Sequence, residues 1–268
     1  MPEPADTVMR RFSRALPGPD YSVFADEAES WSEWLRLLPL AAPGTPVKNH
    51  RGEIVVSGDD EYLAAVVAID VGKRDLQRSA DVILRLHAEW RWYVHDLSML
   101  YLSDTHTELP LRRWAAGERL VEDDGRPTWI PQATPQSPLD HASFREYLDS
   151  VFSFSDGRAL LSESVPLASD GLAPGAFFLH EGNPSQVLVV LDVATSPTGK
   201  RAMLLAQALN PAEDIHVIRP SRDSAWFSVR TDQPVRVPRA QPYHWRELRR
   251  LKRLRSRSEV ECVGSLCP

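Results

Sequence analysis

Apolar residues in the first half of the chain recur at the three- and four-residue spacing of an amphipathic helix. The longest such pattern covers residues 73–94, where one face collects Leu76, Ala80, Ile83, Leu84, His87 and Trp90. The same spacing predicts helices over residues 25–38, 109–120 and 143–154. Each of these helices needs a partner for its apolar face.

The pattern changes period in the second half of the chain. Short apolar runs separated by Gly, Pro, Ser or Asp predict a meander of antiparallel strands over residues 176–179, 186–194, 203–209, 215–218 and 225–229. Earlier strands are predicted in the second half of residues 61–72 and over residues 97–102. We therefore expect an α+β fold, in which helices of the first half pack on a mainly antiparallel sheet from the second half.

The ends of the chain differ in composition from its middle. Residues 1–20 contain four prolines and alternating charges, which favours an N-terminal arm on the surface. Residues 21–245 are predicted to form a single α+β domain, in which residues 121–140 are a surface connection. Residues 246–268 are predicted to form a basic C-terminal helix and tail. This basic run is interpreted either as a solvated helix or as a docking patch for an acidic protein partner.

The charge balance disfavours nucleic acid and anionic membranes as partners. The 31 Lys and Arg residues are outnumbered by 37 Asp and Glu residues, which gives a formal net charge of -6. No overall basic field therefore exists to hold a polyanion. The sequence lacks both a run of roughly 20 apolar residues and the apolar core of a signal peptide. We expect a cytoplasmic protein with no membrane partner and no nucleic-acid partner.

Motifs that carry common cofactor or hydrolase chemistry are absent from the sequence. It contains neither G-x-G-x-x-G nor G-x-x-x-x-G-K-[ST], so no nucleotide cofactor is expected. The nucleophile elbow G-x-S-x-G and the zinc motif H-E-x-x-H are also missing. The two cysteines, Cys262 and Cys267, lie in the last seven residues and form neither a disulfide framework nor a zinc site. No cofactor and no metal are expected.

Three polar side chains lie within or beside apolar patterns. Asp192 follows the run VLVVL, and a carboxylate at the end of a buried strand must find a partner or reach solvent. Gln207, inside MLLAQAL, is either a hydrogen-bonded core amide or a site residue. Arg85 is four residues before Glu89 on the long predicted helix, which favours an ion pair between them.

Several segments resemble an uncharacterised bacterial family, domain of unknown function 4846. The similarity extends from about residue 20 to residue 250 and is carried by WLRLLPL, AAVVAIDVGKRDLQRSADVILRLHAEW, FREYLDSVFSFSDGRALLSE and PSQVLVVLDVA followed by LLAQALNPAEDIHVI. Family members commonly read QCADAVMRLRAEY where this chain reads QRSADVILRLHAEW. They read PGHAVIVVD where this chain reads PSQVLVVLD.

The family pattern implies a reactive pair. A cysteine near a helix N-terminus has a lowered pKa, and a histidine entering a strand can take its proton. Cysteine on a helix, histidine on a strand and a polar residue on the next strand is the order of papain-like and NlpC/P60-like hydrolases. The resemblance therefore implies a cysteine amidase, peptidase or acyltransferase in which Gln207 corresponds to the third position.

This chain departs from the family pattern at both reactive positions. Ser79 replaces the cysteine and Gln186 replaces the histidine. A serine hydroxyl is a weak nucleophile without a base, and glutamine cannot accept its proton. We expect a catalytically degenerate member whose cleft, formed by Ser79, Gln186 and Gln207, is kept for binding a small molecule or a peptide.

Two alternatives to the degenerate member remain open at this point. In one, Ser79 is the nucleophile of an active hydrolase and His180 or His216 serves as the base. In the other, the chain is an interaction protein that uses its basic tail.

Overall fold

The computed structural model describes residues 6–132 and 139–252, apart from Phe24 and Asp26, and shows a mixed α/β fold. Its helices are α1 (Trp31–Arg36), α2 (Asp81–Tyr93), α3 (Leu111–Ala115), α4 (His141–Phe154) and α5 (Gly157–Glu163). Its strands are β1 (Ser22–Val23), β2 (Val47–Lys48), β3 (Ile54–Val56), β4 (Leu63–Val66), β5 (Leu100–Leu102), β6 (Glu108–Pro110), β7 (Glu118–Asp123), β8 (Arg126–Pro131), β9 (Ser164–Pro166), β10 (Phe177–His180), β11 (Gln186–Thr195), β12 (Arg201–Gln207), β13 (His216–Ile218), β14 (Trp226–Ser228) and β15 (Leu248–Leu251).

Within the described residues, one antiparallel sheet of nine strands dominates the fold. Its order is β4-β13-β12-β11-β10-β15-β9, with β1 pairing to β11 and β14 pairing to β12. The β11–β12 ladder runs from Leu188 opposite Gln207 to Thr195 opposite Arg201, with an irregularity between Val190 and Asp192. The predicted antiparallel sheet is therefore confirmed, and β10 to β13 form a meander, but β14 pairs with β12 and not with its predecessor β13. Strands within residues 97–102 and 61–72 also exist as β5 and β4.

Each face of the sheet carries its own apolar core. On one face, Ala80, Ile83 and Leu84 around α2 join a cluster with Val187 and Val189 of β11. The packing of this helix on the sheet is therefore confirmed. On the other face, the irregular segment 229–247 covers a second cluster with Val235, Val237 and Tyr243, which pack with Phe178, Leu188 and Met203. Alternate residues of β11 serve the two cores, as the pleat of a strand requires.

Side-chain caps explain the beginnings of three helices. Ser30, Asp140 and Asp156 precede α1, α4 and α5, and each side chain accepts a hydrogen bond from a backbone amide of the first turn. Helix α2 begins at Asp81 and not at residue 73 as predicted. The preceding residues bond to other parts of the fold, because Asp75 accepts from a distant backbone amide.

The separation into early helices and late strands is only partly correct. Helices α4 and α5 follow residue 140, and strands β1 and β4 of the first half join the main sheet. The strand in residues 61–72 occupies the first half of that run, because β4 pairs with β13 through Leu63–Val66. Most of the predicted connection 121–140 is the β7–β8 hairpin, which turns at Asp124 and Gly125, both with positive φ. Residues 133–138 lie outside the described residues.

Both predicted terminal segments differ from expectation. The arm over residues 1–20 is partly a core element, because Val8 and Phe12 are buried in the helix-side cluster. The predicted C-terminal helix is replaced at its start by the turn Trp245–Glu247 and by β15, which pairs with β10 and β9. A strand is favoured there because Leu248 is buried and because β15 supplies hydrogen-bond partners to the facing edges of β10 and β9. The rest of the basic tail, from residue 253, lies outside the described residues.

A buried ion pair joins α1 to the irregularity in β11. Arg36 donates from Nε to Oδ2 of Asp192 at 2.9 Å and from Nη2 to Oδ1 at 2.8 Å. Ser13 and the backbone amide of Val193 also donate to this carboxylate, which is 0% exposed. Asp192 thus has the partner that its position in the sequence requires. The expected ion pair between Arg85 and Glu89 is present as well, with 2.9 Å between Nε and Oε1.

Candidate functional site

Ser79 is fully buried just before α2 and bonds to the backbone of β11. Its Oγ accepts a hydrogen bond from the amide of Val187 at 2.9 Å, and its own amide donates to Oδ1 of Asn210 at 3.3 Å. The last pair of the β11–β12 ladder is Leu188 with Gln207, so the Val187 amide lies beyond the end of that ladder. The hydroxyl of Ser79 therefore accepts the hydrogen bond of the Val187 amide in place of a backbone carbonyl of a neighbouring strand.

Gln186 begins β11 directly opposite His180 on β10. Nδ1 of His180 lies 2.9 Å from Oε1 of Glu247, and the imidazole packs edge-on against the ring of Tyr243 at 6.3 Å between centroids. The side chain of His180 is 35% exposed, so this corner of the sheet reaches solvent. Oε1 of Gln186 is buried and has no hydrogen-bond partner in the described part of the chain.

Gln207 is buried opposite His216 on β13. Its Nε2 lies 3.4 Å from Nε2 of His216, whose Nδ1 lies 3.1 Å from the carbonyl oxygen of Asp214. Burial lowers the pKa of His216 to about 4, so its ring is neutral at pH 7. A neutral ring that donates from Nδ1 accepts at Nε2, which turns the amide NH₂ of Gln207 towards it. The Oε1 oxygen of Gln207 then points away, and it has no partner within the described ranges.

The structure brings the three family-equivalent positions to one end of the sheet but not to one face. Val187 packs in the helix-side core, whereas Leu188 packs in the core under segment 229–247. By strand alternation, Gln186 and Gln207 share the face of Leu188, while Ser79 approaches from the helix side. Among the described residues, no hydrogen bond joins the Ser79 side chain to either glutamine or to an imidazole.

We call Gln186, Gln207, His180, Tyr243 and Glu247 the glutamine corner. Three of its buried atoms lack a hydrogen-bond partner in the parts of the chain described, namely the two glutamine Oε1 atoms and the hydroxyl of Tyr243. Buried polar atoms are usually bonded, and each unbonded one costs on the order of 1–3 kcal/mol. Sequence reasoning identified both glutamines and His180, but it missed Tyr243 and Glu247 because they lie on an irregular segment without periodicity.

The hydroxyl of Tyr243 is expected to contribute nothing to stability. Tyr243→Phe removes an unbonded polar atom and should leave the free energy of unfolding unchanged or raise it by up to about 1 kcal/mol. Tyr147 is the matched control, because it is equally buried and its hydroxyl donates to the carbonyl of Leu109 at 2.6 Å. Tyr147→Phe should lose about 1 kcal/mol in urea unfolding. Equal losses in both variants would contradict the assignment.

A buried acid lies close to Ser79 in the sequence. Asp81 is the first residue of α2, and its Oδ1 accepts a hydrogen bond from Ser155 at 2.8 Å. Burial raises the pKa of Asp81 to about 8, against the opposing effect of this hydrogen bond. Its carboxyl group is therefore largely protonated at pH 7. Its burial has no signal in the sequence, because an acidic residue in the first helical turn is normally exposed.

In residues 6–132 and 139–252, without positions 24 and 26, no group of three or more His, Cys, Asp or Glu side chains has a metal-binding arrangement. No helix there has both the length and the apolar character needed to cross a bilayer.

Comparison with known proteins establishes the family. A family model described as domain of unknown function 4846 matches residues 12–250. The chain belongs to this family. The resemblance seen in the sequence is thus confirmed over nearly the whole described chain. No curated protein and no solved structure matches it.

Membership in DUF4846 supplies no reaction. The DUF4846 match includes Ser79, the glutamine corner and both cores of the sheet. Any function of this DUF4846 chain has to follow from the geometry of its own side chains.

Proposed function

We propose that this chain is a catalytically degenerate member of a hydrolase-like family, with a papain-like or NlpC/P60-like arrangement, and that it binds a small molecule or a peptide at the glutamine corner. The observation that carries the proposal is the state of Ser79. Its side chain is 0% exposed, and its hydroxyl accepts a hydrogen bond from the amide of Val187. A hydroxyl used in this way supports the sheet and is shielded from substrate.

The candidate bases support the same conclusion. His216 is buried and neutral, and its two ring nitrogens face Gln207 and the carbonyl of Asp214. Nδ1 of His180 faces Glu247. A general base must lie within about 3.2 Å of the nucleophile or one water away. Among the described hydrogen bonds, neither histidine contacts Ser79.

The glutamine corner favours binding because two of its three unbonded buried polar atoms are carbonyl acceptors. The two Oε1 oxygens are unbonded, and the exposed part of His180 opens the corner to solvent. Groups with N–H donors, such as a peptide amide, would supply the bonds that these oxygens lack. The Oε1 oxygens themselves are covered, so a ligand has to displace side chains at this opening to reach them.

Loss of catalysis is tested with a fluorophosphonate probe and with amide, ester and peptide substrates. We expect no labelling at Ser79, and turnover equal to that of Ser79→Ala, because the hydroxyl is buried and lacks a base. Ser153→Ala is the control, because Ser153 is exposed on α4 and its hydroxyl donates to the carbonyl oxygen of Asp149. Labelling of Ser79 together with turnover that Ser79→Ala abolishes would contradict the proposal and establish a serine enzyme.

Binding is read from the side-chain amide resonances of ¹⁵N-labelled protein. Titration with a blocked dipeptide amide should shift the NH₂ signals of Gln186 and Gln207 at millimolar concentrations. The variant Gln186→Leu should remove the response of Gln207 without unfolding the protein. No movement of either signal, or an equal movement in Gln186→Leu, would refute binding of an amide ligand at the corner.

A further inference from the structure

A second polar site lies at the other end of β11, about 30 Å from Gln186 at the rise of an extended strand. A cavity with a volume of about 490 Å³ opens there between the start of β12, the end of β14 and the turn Ser169–Gly171. This volume lies within the range of small-molecule sites. The cavity belongs neither to the family-equivalent positions nor to the glutamine corner.

The charge of this cavity is positive although the whole chain is acidic. Two cationic side chains, Lys200 and Arg201, line the cavity, and Asp170 is the single acidic residue among the lining residues. In the described part of the chain, neither cation forms a salt bridge with a carboxylate, and the carboxylate of Asp170 acts on Arg201 only through the field of its charge. Two positive charges with one nearby negative charge favour an anionic ligand.

Arg201 is held rigidly by backbone carbonyls. Its Nη1 donates to the oxygens of Ser169 and Asp170 at 3.2 and 3.3 Å, and its Nη2 donates to the oxygen of Leu172. A guanidinium has five N–H donors, so Nε–H and one N–H of Nη2 are left for another acceptor. Carbonyl partners leave the charge unneutralised, and burial lowers the pKa of Arg201 without discharging it. The group is therefore oriented before any ligand arrives.

Hydroxyl groups complete the set of donors. Four of them line the cavity and have no hydrogen bond within the described ranges, on Tyr21, Ser169, Ser228 and Thr231. Each can donate to an anionic oxygen or exchange bonds with a polar ligand. Ser228 and Arg201 are held close together, because β14 pairs with β12 through Ser228 and Ala202.

We propose that this cavity binds a small soluble phosphate monoester through Lys200, Arg201 and the surrounding hydroxyls. At pH 7 a phosphate monoester has three outer oxygens and a charge close to -2. It can therefore accept hydrogen bonds from several donors arranged around it, whereas a carboxylate is planar and accepts from fewer directions. The volume exceeds that of a phosphate group, so the cavity also has room for the body of the ester. This site is independent of the proposed function of the glutamine corner.

The probe for this site is glycerol 3-phosphate, titrated into the full chain by calorimetry. Glycerol tests whether the alcohol part of the ester binds without its phosphate, and inorganic phosphate tests whether the phosphate group alone competes for the cavity. Citrate tests whether a highly charged carboxylate ligand binds as well. We expect binding of glycerol 3-phosphate, competition by inorganic phosphate and no binding of glycerol. Absence of binding up to about 10 mM, or tighter binding of citrate, would overturn the proposal.

The variant Lys200→Met removes an exposed cation and should weaken binding about tenfold. Lys73→Met is the matched control, because Lys73 is also exposed but does not line the cavity. It should bind as the unchanged chain does. Arg201→Met should abolish binding, and its unfolding temperature separates a lost ligand contact from a lost fold. Equal weakening in Lys200→Met and Lys73→Met would show a nonspecific charge effect and overturn the site.

Discussion

Arg36→Met is expected to lower the free energy of unfolding by about 3–5 kcal/mol. The substitution leaves the carboxylate of Asp192 fully buried and removes its hydrogen bonds from the guanidinium, so that only those from Ser13 and the amide of Val193 remain. A buried charge that loses its partner keeps its desolvation cost and loses its Coulomb attraction. Urea unfolding monitored by tryptophan fluorescence measures the change.

The double variant Arg36→Met with Asp192→Leu is the control for this pair. It removes both charges and should recover most of the loss, because apolar side chains of similar size can replace a buried pair at little cost. The coupling energy from the double-mutant cycle should therefore be at least about 2 kcal/mol. A loss below about 1 kcal/mol in Arg36→Met would show that the pair is effectively solvated, against the burial seen here.

Raising the pH from 6.5 to 8 is expected to destabilise the protein by roughly 3 kcal/mol. Burial raises the pKa of Asp81 and that of Glu163 to about 8, opposed in each case by a hydrogen bond from Ser155 or from the amide of Leu102. The folded state keeps these two protons where the unfolded state has lost them. Stability is therefore present at low pH and declines as the pH rises towards 8.

Two histidines set the lower edge of this window. Burial lowers the pKa of His87 to about 3 and that of His216 to about 4, so both stay neutral in the folded state. As the pH falls through 6.5 the unfolded state gains protons at these positions, so the contribution of the histidines to stability declines. This decline balances the contribution of the two acids only when the unfolded histidines are almost fully protonated, which places the maximum of stability at about pH 5–5.5.

Asp81→Asn and Glu163→Gln test the two carboxyl groups separately. Each variant should remove about half of the decline between pH 6.5 and pH 8, because each removes one of two protons retained by the folded state. Asp123→Asn, at an exposed position on β7, is the control and should leave the decline unchanged. A decline that persists in the Asp81→Asn, Glu163→Gln double variant would assign it to other groups.

The candidate sites were only partly accessible to sequence reasoning. Gln207 stood out because a glutamine inside an apolar strand needs an explanation, and the structure shows one bond to His216 and one unbonded oxygen. The resemblance singled out Ser79 and Gln186, but it did not show that Gln186 lies on the face of the second core while Ser79 reaches β11 from the helix side. The cavity at Arg201 had no signal, because carbonyl oxygens and scattered hydroxyls leave no pattern in a sequence.

The sequence by itself determined the elements whose apolar residues repeat locally. Helices α2 and α4 follow from such periodicity, and the strands from β10 to β14 follow from short apolar runs between turn residues. The family follows from the order of the matching segments. Only the tertiary structure decided the rest. The bond between Ser79 and Val187 spans 108 positions, and the pair of Arg36 with Asp192 spans 156. Periodicity records which face of an element is apolar, whereas burial and charge pairing depend on what the folded chain brings against that face.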